Sequence, residues 1–204
     1  MQLDERGRPQ NEEYIITLGD SLNLGCGFRK IPSLINVDAC SICEPDVVWD
    51  LNVFPWPWDD YTIDHIYAYH VFEHLDDWWG ALKECARILK KGGKLMMRVP
   101  DESSSSAGTY RDHQHILANH SFSGLKAQEG SGMRSFGRGN NAWGASQEKI
   151  PLIITKYSQV PFKQYYWMVK WCPWLLQFCA KHMRNFIWEQ RFEIIKIGDK
   201  NGRN

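Results

Sequence analysis

Short apolar runs alternate with polar stretches along this chain, and the pattern predicts an α/β fold with a doubly wound, mostly parallel sheet in a three-layer sandwich. An amphipathic helix is predicted at residues 76–91, with apolar positions at helical spacing and acidic residues in its first turn. Gly92 follows as its C-terminal cap. The predicted strands are residues 22–24, 34–37, 46–49, 63–68 and 94–99, followed by later candidates at 149–160 and 192–197.

The predicted strands deliver ligand-binding residue types to one edge of the sheet. Ligands of parallel sheets bind beyond the carboxyl ends of the strands, where the connecting loops meet. The first strand here is followed by a Gly-Cys-Gly turn, and the others are followed by acidic or histidine side chains. These residues are Gly25, Gly27, Asp38, Asp50, His70 and Asp101. The sequence therefore predicts a binding site along this edge.

The glycine turn and the acid after the second strand indicate a nucleoside site. Glycine lets the backbone approach a ligand closely, and Asp38 is placed to accept the hydroxyls of a ribose. A dinucleotide such as NAD is disfavoured, because Lys30 occupies the position of the third glycine of G-x-G-x-x-G. Asp38 follows Gly27 closely and Pro32 lies between them, so no full crossover helix is available to hold a pyrophosphate. A nucleoside ligand without phosphates fits better.

Several motifs, in order, resemble the small class I S-adenosylmethionine (SAM) methyltransferases with a shortened first crossover. The resemblance covers about residues 20–101, and a looser match, YRDHQH, follows the predicted fifth strand at 110–115. The main motifs are LNLGCG at 22–27, INVD at 35–38, WDL at 49–51 with PWP at 55–57, DHIYAYHVFEHL at 64–75 and LKKGGK at 89–94. The resemblance implies SAM as cofactor and S-adenosylhomocysteine as product.

The resemblance also assigns roles within the cofactor site. Gly25 and Gly27 would pass under the methionine part of SAM, and Asp38 would hold the ribose hydroxyls. Asp50 and Leu51 would flank the adenine. The complete predicted set is Asn23, Gly25, Cys26, Gly27, Asp38, Asp50, Leu51 and His70.

Three residues are candidates for the chemistry of methyl transfer. The sulfonium of SAM is already a strong electrophile, so alignment for in-line attack supplies much of the rate. A general base is needed only where the acceptor carries a proton that must leave. His70, Asp101 and His115 are the candidates, in no order that the sequence fixes. His70 would lie beside the transferred methyl group, while Glu73 and its neighbour have the alternative role of opening a helix.

Charge and cysteine content limit the kinds of partner and metal site that the sequence predicts. Lys plus Arg equals Asp plus Glu, 24 each, so no basic excess favours a nucleic acid. The first residues are polar and predict no secretory signal, hence a cytoplasmic protein with free thiols. Cys40 and Cys43 form a lone C-x2-C without a second ligand pair, so the sequence predicts no metal site.

The second half of the chain is less regular. We predict an N-terminal arm at 1–19, the SAM-binding core at 20–101, a lid or insertion rich in serine and glycine at 102–147, and a C-terminal part of the same domain at 148–204. An aromatic block at 165–180 is too short to span a bilayer. It suits a helix covering the sheet or a homodimer contact; an interfacial membrane helix and a wall of the substrate pocket are the alternatives.

The predicted function is therefore transfer of a methyl group from SAM to a small-molecule or glycan acceptor. A nucleic-acid or protein methyltransferase is the second candidate, opposed by the neutral charge and by the lack of an Asn/Asp-Pro-Pro-Tyr motif. The third candidate is a binding or scaffold protein that kept the fold without catalysis.

Overall fold

The computed structural model describes residues 20–122, 124–132 and 150–198. The predicted arm at 1–19, most of the second half of the predicted lid, and the last residues lie outside this part. The described chain forms eight strands. They are β1 Ser21–Leu24, β2 Ile35–Asp38, β3 Val47–Val48, β4 Ile63–Tyr69, β5 Leu89–Pro100, β6 Lys126–Ala127, β7 Leu152–Pro161 and β8 Ile187–Lys196.

The strands form one sheet in the order β3-β2-β1-β4-β5-β8-β7-β6. Strands β1 to β5 pair in parallel, and β8 runs antiparallel between β5 and β7. The chain leaves β1 toward β2 on one side and returns to β4 on the other, so the order of strands reverses at β1. Ligands of doubly wound sheets bind at such a switch point. The predicted mostly parallel sheet is confirmed.

Helices connect only some of these strands. Residues 25–34, between β1 and β2, form turns without a helix, as their length predicted. A 3-10 turn at Ser41–Cys43 follows β2, and further 3-10 turns lie at Phe72–His74, Asn119–Phe122 and Lys163–Tyr165. The α-helices in the described part are α1 Trp78–Ile88, α2 Ser105–Thr109, α3 Tyr166–Trp171 and α4 Pro173–His182.

Helix α1 begins two residues after the predicted start at residue 76 and ends three residues before the predicted end. The side chain of Asp77 accepts a hydrogen bond of 2.8 Å from the backbone N–H of Gly80, which caps the helix. The helix ends at Ile88 instead of Lys91, so the predicted glycine cap is wrong. Leu89 is extended and pairs with Ile63 of β4, because the sheet offers hydrogen bonds that one further helical turn would forfeit.

The main core covers the sheet and includes part of the predicted lid. Phe122 is fully buried, with its ring centroid 4.7 Å from that of Phe192 on β8 and 5.4 Å from that of Trp78 on α1. Leu117 is buried in the same cluster. Residues 117–122 are therefore anchored in the core.

Helices α3 and α4 build a second, smaller core and expose aromatic side chains. Met168, Leu176 and Cys179 are buried together with Ile187 of β8. The outer faces leave Trp167, Trp171, Trp174 and Phe178 more than half exposed. The described residues contain no helix of the length and apolarity needed to cross a membrane.

Candidate functional site

The sheet register brings the predicted cofactor residues to neighbouring strand ends. Leu24 of β1 pairs with Val37 of β2 and with Ala68 of β4. Gly25 and Asp38 each lie one residue beyond these pairs. Because the strands are parallel, the glycine turn after β1 and Asp38 at the end of β2 meet at the same edge.

Asp38 is tied to the glycine turn by hydrogen bonds. Its Oδ2 accepts a bond of 2.8 Å from the backbone N–H of Gly27, and its Oδ1 accepts one of 2.8 Å from that of Cys40. The carboxylate is thus held in one orientation. Each oxygen retains a second lone pair, so Asp38 can still accept hydroxyl groups of a ligand.

Glycine is suited to these two positions of the turn for different physical reasons. Both adopt positive φ, 58° at Gly25 and 49° at Gly27, where other residues are strained. A Cβ on Gly25 would lie 2.6 Å from Cγ2 of Val71, so glycine is needed there for packing. A Cβ on Gly27 would meet nothing within 4 Å. The backbone at Gly27 therefore faces open space that a ligand can occupy.

Asn23 and Cys26 support this turn from inside. The Asn23 amide donates to the backbone oxygen of Arg29 at 3.0 Å and to Oδ1 of Asn36 at 2.9 Å. Both bonds pin the loop between β1 and β2. Cys26 is buried, and burial, together with nearby Asp38, raises the pKa of its thiol to about 11. Cys26 is therefore a neutral packing residue at physiological pH.

Asp50 and Leu51 follow β3 at the next position along the edge. Val48 of β3 pairs with Asp38, and Asp50 lies two residues beyond it. Oδ1 of Asp50 accepts a bond of 2.9 Å from the backbone N–H of Asn52, which fixes the turn and leaves the exposed carboxylate open to solvent. Leu51 is buried, and its carbonyl accepts from the indole N–H of Trp56 at 3.1 Å.

His70 lies just beyond β4 in a strained backbone conformation and between two acids. Its φ is 58°, which is uncommon for a residue other than glycine. Its Nδ1 lies 3.2 Å from Oε1 of Glu73, and its Nε2 lies 3.0 Å from Oε2 of Glu189 on β8. Both carboxylates are only 1% exposed. Strain at a residue held this firmly is typical of a functional position.

The two acids hold His70 in its charged form. Burial alone lowers the pKa of the imidazole, but the hydrogen bonds to Glu189 and Glu73 outweigh it and raise the pKa to about 9. Burial likewise raises the pKa of Glu189, but the bond to His70 and the nearby guanidinium groups of Arg191 and Arg98 lower it overall. His70 is therefore an imidazolium at neutral pH, with both ring nitrogens engaged.

A cavity of about 640 Å³ opens beside His70. Its wall is partly aromatic, and polar groups project into it from several elements. The aromatic lining includes Tyr110, Phe162, Tyr166 and Trp188. The polar lining includes Arg29, His70, Glu73, His74, Asp112, His113 and Arg191. A concave site of this size with a few convergent polar groups is typical of a small-molecule pocket.

The other two catalytic candidates are not among the residues that line this cavity. Asp101 is buried, and its Oδ1 accepts from the backbone N–H and hydroxyl of Ser103, while its Oδ2 accepts from the Gln159 amide at 3.0 Å. Nε2 of His115 lies 3.2 Å from the backbone oxygen of Asp76. The structure thus brings His70 to the cavity and gives Asp101 and His115 other contacts.

Sequence reasoning missed three residues at the site. Glu189 and Arg191 lie on β8 and reach the His70 side of the sheet, where Nε of Arg191 donates to Oε1 of Glu189 at 2.5 Å. The sequence signal that could have indicated these two residues is an acid two residues before an arginine within a strand. Arg29 comes from the loop between β1 and β2 and lines the cavity.

Part of the sequence is similar to known methyltransferases. Residues 44–97 match the model of the methyltransferase domain family. Two Mycobacterium tuberculosis proteins, from strains CDC 1551 and H37Rv, each described as "Probable S-adenosylmethionine-dependent methyltransferase", are 29% identical over 108 residues. The match covers 45% of this chain and 39% of each relative, so the chain spans about two fifths of their length.

Solved structures share the fold at low sequence identity. A SAM-dependent methyltransferase from Archaeoglobus fulgidus superposes with a TM-score of 0.58 at 13% identity, covering 90% of this chain and 88% of that one. The [4+2]-cyclase SpnF superposes with a TM-score of 0.54 at 11% identity, covering 88% and 76%. The enzyme class and the cofactor predicted from the sequence are those in the names of the matched relatives. The chain has the fold of the class I SAM-dependent methyltransferases, and its residues 44–97 match the methyltransferase-domain model.

Proposed function

We propose that this chain binds SAM and transfers its methyl group to a small-molecule or glycan acceptor, with release of S-adenosylhomocysteine. One observation carries the proposal: the register places the Gly25–Gly27 turn, Asp38, Asp50 and His70 at adjacent strand ends, and the cavity opens beside His70. A nucleoside bound along this edge would extend toward the cavity. The methyl donor and an acceptor in the cavity would then adjoin.

The residues at this edge suit SAM, which is a nucleoside ligand that has no phosphates. Asp38 keeps lone pairs for the ribose hydroxyls, and the open backbone at Gly27 allows close approach of the methionine part. Asp50 is exposed and offers an acceptor for the exocyclic amine of adenine. Asn23 and Cys26, also predicted for this site, act by holding the turn in shape.

The cavity favours a small acceptor over a polymer. Its aromatic walls provide stacking surfaces for a flat or sugar ring, and Arg29 adds a positive charge that suits an acceptor with an oxyanion. The formal net charge of the chain is zero, so nothing in its overall charge attracts a nucleic acid.

His70 is best suited to positioning. A general base must have a nitrogen free to receive the proton, and both nitrogens of His70 face carboxylates. A fixed imidazolium would instead shape the pocket beside the methionine part or the acceptor, because both of its N–H groups are used to hold it in place. Asp101 and His115 stay predictions as bases; Asp101 accepts hydrogen bonds from Ser103 and Gln159, and His115 contacts the backbone oxygen of Asp76.

Titration calorimetry followed by a product assay tests the proposal. SAM and S-adenosylhomocysteine should both bind at one site per chain, with NADH as the control ligand. Protein with methyl-labelled SAM should then transfer label to the small-molecule fraction of a cell extract. Binding without transfer to any fraction would favour the alternative of a scaffold protein, and label in RNA, DNA or protein would favour a macromolecular substrate. Absence of SAM binding, or tighter NADH binding, would contradict the proposal.

The cytoplasmic location and the homodimer stay predictions. The exposed aromatic face of α3 and α4 is the surface that a homodimer or a peripheral membrane contact would use. Light scattering gives the mass of the particle in solution and distinguishes a monomer from a dimer.

A further inference from the structure

Glu73, His74 and His113 come together at the wall of the cavity. Glu73 and His74 lie on the 3-10 turn after β4, and His113 follows α2. One ligand-type atom from each, a carboxylate oxygen and two imidazole nitrogens, lie within 4.8 Å of one another. We propose that these three side chains form a binding site for a divalent transition-metal ion, for which Zn²⁺ is the best-suited candidate.

Backbone hydrogen bonds hold the two segments in this arrangement. The backbone N–H groups of Gln114 and His115 both donate to the carbonyl of Glu73, at 2.8 Å and 3.1 Å. The rings of His74 and His113 pack edge to face with centroids 4.7 Å apart. The cluster is therefore built by the fold and does not depend on the chance orientation of surface side chains.

In both imidazoles, a hydrogen bond from Nδ1 leaves Nε2 available as the metal ligand. Nδ1 of His74 lies 3.1 Å from the backbone oxygen of Asp112, and Nδ1 of His113 lies 3.1 Å from that of Ala107. A carbonyl only accepts, so Nδ1 carries the hydrogen in each ring and Nε2 keeps its lone pair. This outer arrangement, a ring N–H donated to a backbone carbonyl, is typical of metal-bound histidines.

Glu73 supplies an independent sign that a cation belongs here. Its side chain is 1% exposed, and only Oε1 has a partner, Nδ1 of His70. Its Oε2 is buried without any hydrogen-bond partner. A buried carboxylate oxygen left unsatisfied is costly, and coordination of a cation would satisfy it.

The donor set selects the kind of ion. Two imidazoles and one carboxylate suit Zn²⁺ and other borderline transition metals, whereas Ca²⁺ and Mg²⁺ prefer oxygen ligands. Ligand atoms about 2.0–2.1 Å from a tetrahedral Zn²⁺ stand about 3.4 Å apart, so binding would draw the three donors closer together. Because all three residues line the cavity, the remaining coordination position would face the bound molecule.

This geometry gives the ion a role that rests on the proposed methyl transfer. An acceptor hydroxyl bound to the metal has a lowered pKa, so its oxygen would be a nucleophile at neutral pH without a protein base. The S–CH₃ bond of SAM breaks as the O–CH₃ bond forms, and the hydroxyl proton passes to water. An oxygen acceptor, such as a phenol or a hydroxy acid, is the class that this site would take.

The test measures metal binding directly on untagged, chelator-treated protein. Calorimetry with Zn²⁺ should give one site per chain, and His113→Ala should weaken its affinity at least about tenfold. Glu73→Gln, which preserves the shape and the bond to His70, should weaken it as well. His182→Ala and Cys40→Ser are matched controls, a surface histidine on α4 and the exposed cysteine of the C-x2-C pair, and should bind as the parent does.

Each result decides the proposal. Loss of the site in His113→Ala and Glu73→Gln, with both controls unchanged and all variants folded by circular dichroism, supports it. No stoichiometric Zn²⁺ binding, or binding that His113→Ala leaves unchanged, overturns it. Loss of binding in Cys40→Ser alone would assign the ion to the cysteine pair and also overturn it. SAM titrations on the same samples test the proposed function separately, because Zn²⁺ binding does not require SAM.

Discussion

Nε2 of His70 lies 3.0 Å from Oε2 of Glu189, and this contact joins the end of β4 to β8 across 119 positions of sequence. Glu73 engages the other ring nitrogen through its Oε1, so one imidazolium contacts two buried carboxylates. The contact fixes the His70 side chain at the wall of the cavity and connects the N-terminal and C-terminal halves of the chain there. Its consequence is that His70 orients a bound molecule more readily than it removes a proton.

His70→Asn tests this assignment. If His70 shapes the site for the methionine part or the acceptor, SAM affinity should fall about 10- to 100-fold, at least as far as turnover, because the charged hydrogen bonds from His70 to Glu73 and Glu189 that hold this end of the site are lost. The melting temperature should fall too, since Glu73 and Glu189 lose their shared partner. Calorimetry and kinetics on one preparation separate the effects. A turnover loss of about 10²–10⁴ with unchanged SAM affinity would identify His70 as a general base instead.

Asp38→Ala should weaken SAM and S-adenosylhomocysteine in parallel, by about 1.5–3 kcal/mol, because the ribose is common to both. Asp59→Ala, which removes an exposed acid outside the site, serves as the control and should bind both ligands normally. Calorimetry measures the affinities, and a thermal melt checks that the turn anchored on Asp38 remains folded. Equal affinities in Asp38→Ala and parent would remove Asp38 from the cofactor site.

The two glycines of the first turn should respond differently to alanine. Gly25→Ala forces a Cβ to within 2.6 Å of Val71 at a positive φ, so unfolding free energy should fall by about 1–3 kcal/mol. Gly27→Ala has no such clash, and should chiefly weaken SAM binding through loss of close approach. Denaturant unfolding and calorimetry provide the comparison. Adding Val71→Ala to Gly25→Ala should restore part of the stability; no recovery would contradict the packing argument.

The main strands and the edge where their carboxyl ends meet could be predicted from sequence because their signals are local. Apolar runs that end in glycine or aspartate identify strand ends, and parallel pairing then brings those ends together. The end of α1 was missed because Leu89 pairs with Ile63, a contact that no helical period encodes. The partner of His70 was missed for the same reason, since Glu189 is brought near only by the order of strands in the sheet.

The grouping of Glu73, His74 and His113 was not predicted, because His113 is far from the other two along the chain. Metal motifs are recognised by short, regular ligand spacing, and only Cys40 and Cys43 offered such spacing. His113 joins Glu73 and His74 because the segment after α2 docks by backbone hydrogen bonds on the carbonyl of Glu73. Backbone docking of this kind has no side-chain signature, so the sequence alone did not indicate it.

Stability should depend on pH through Glu84 and Arg87. Burial raises the pKa of Glu84, but bonds from the Arg87 guanidinium and the Trp56 backbone N–H outweigh it and lower the pKa below its ordinary value. A lowered folded-state pKa gives stability that is present above the unfolded pKa and lost as pH falls through the folded one. Glu84→Gln should therefore cost about 1.5–3 kcal/mol at pH 7, and less at acid pH. Urea unfolding at both pH values measures this; a constant difference would contradict it.

Residues 110–116 are the part of the predicted lid with exposed apolar side chains, and backbone hydrogen bonds from Gln114 and His115 dock this stretch on Glu73. Leu117 and Phe122 are buried in the main core, so backbone exchange at 117–122 should be slow with or without ligand. Tyr110 and Ile116 are more than half exposed, and Tyr110 lines the cavity beside His70. Contacts between Tyr110 and a bound molecule should reduce local opening of this docked stretch. Hydrogen exchange with and without saturating S-adenosylhomocysteine should therefore show new protection at 110–116 and no change at 117–122. Unchanged exchange at 110–116 would mean that this stretch is a fixed connection and that the cavity stays open during the reaction.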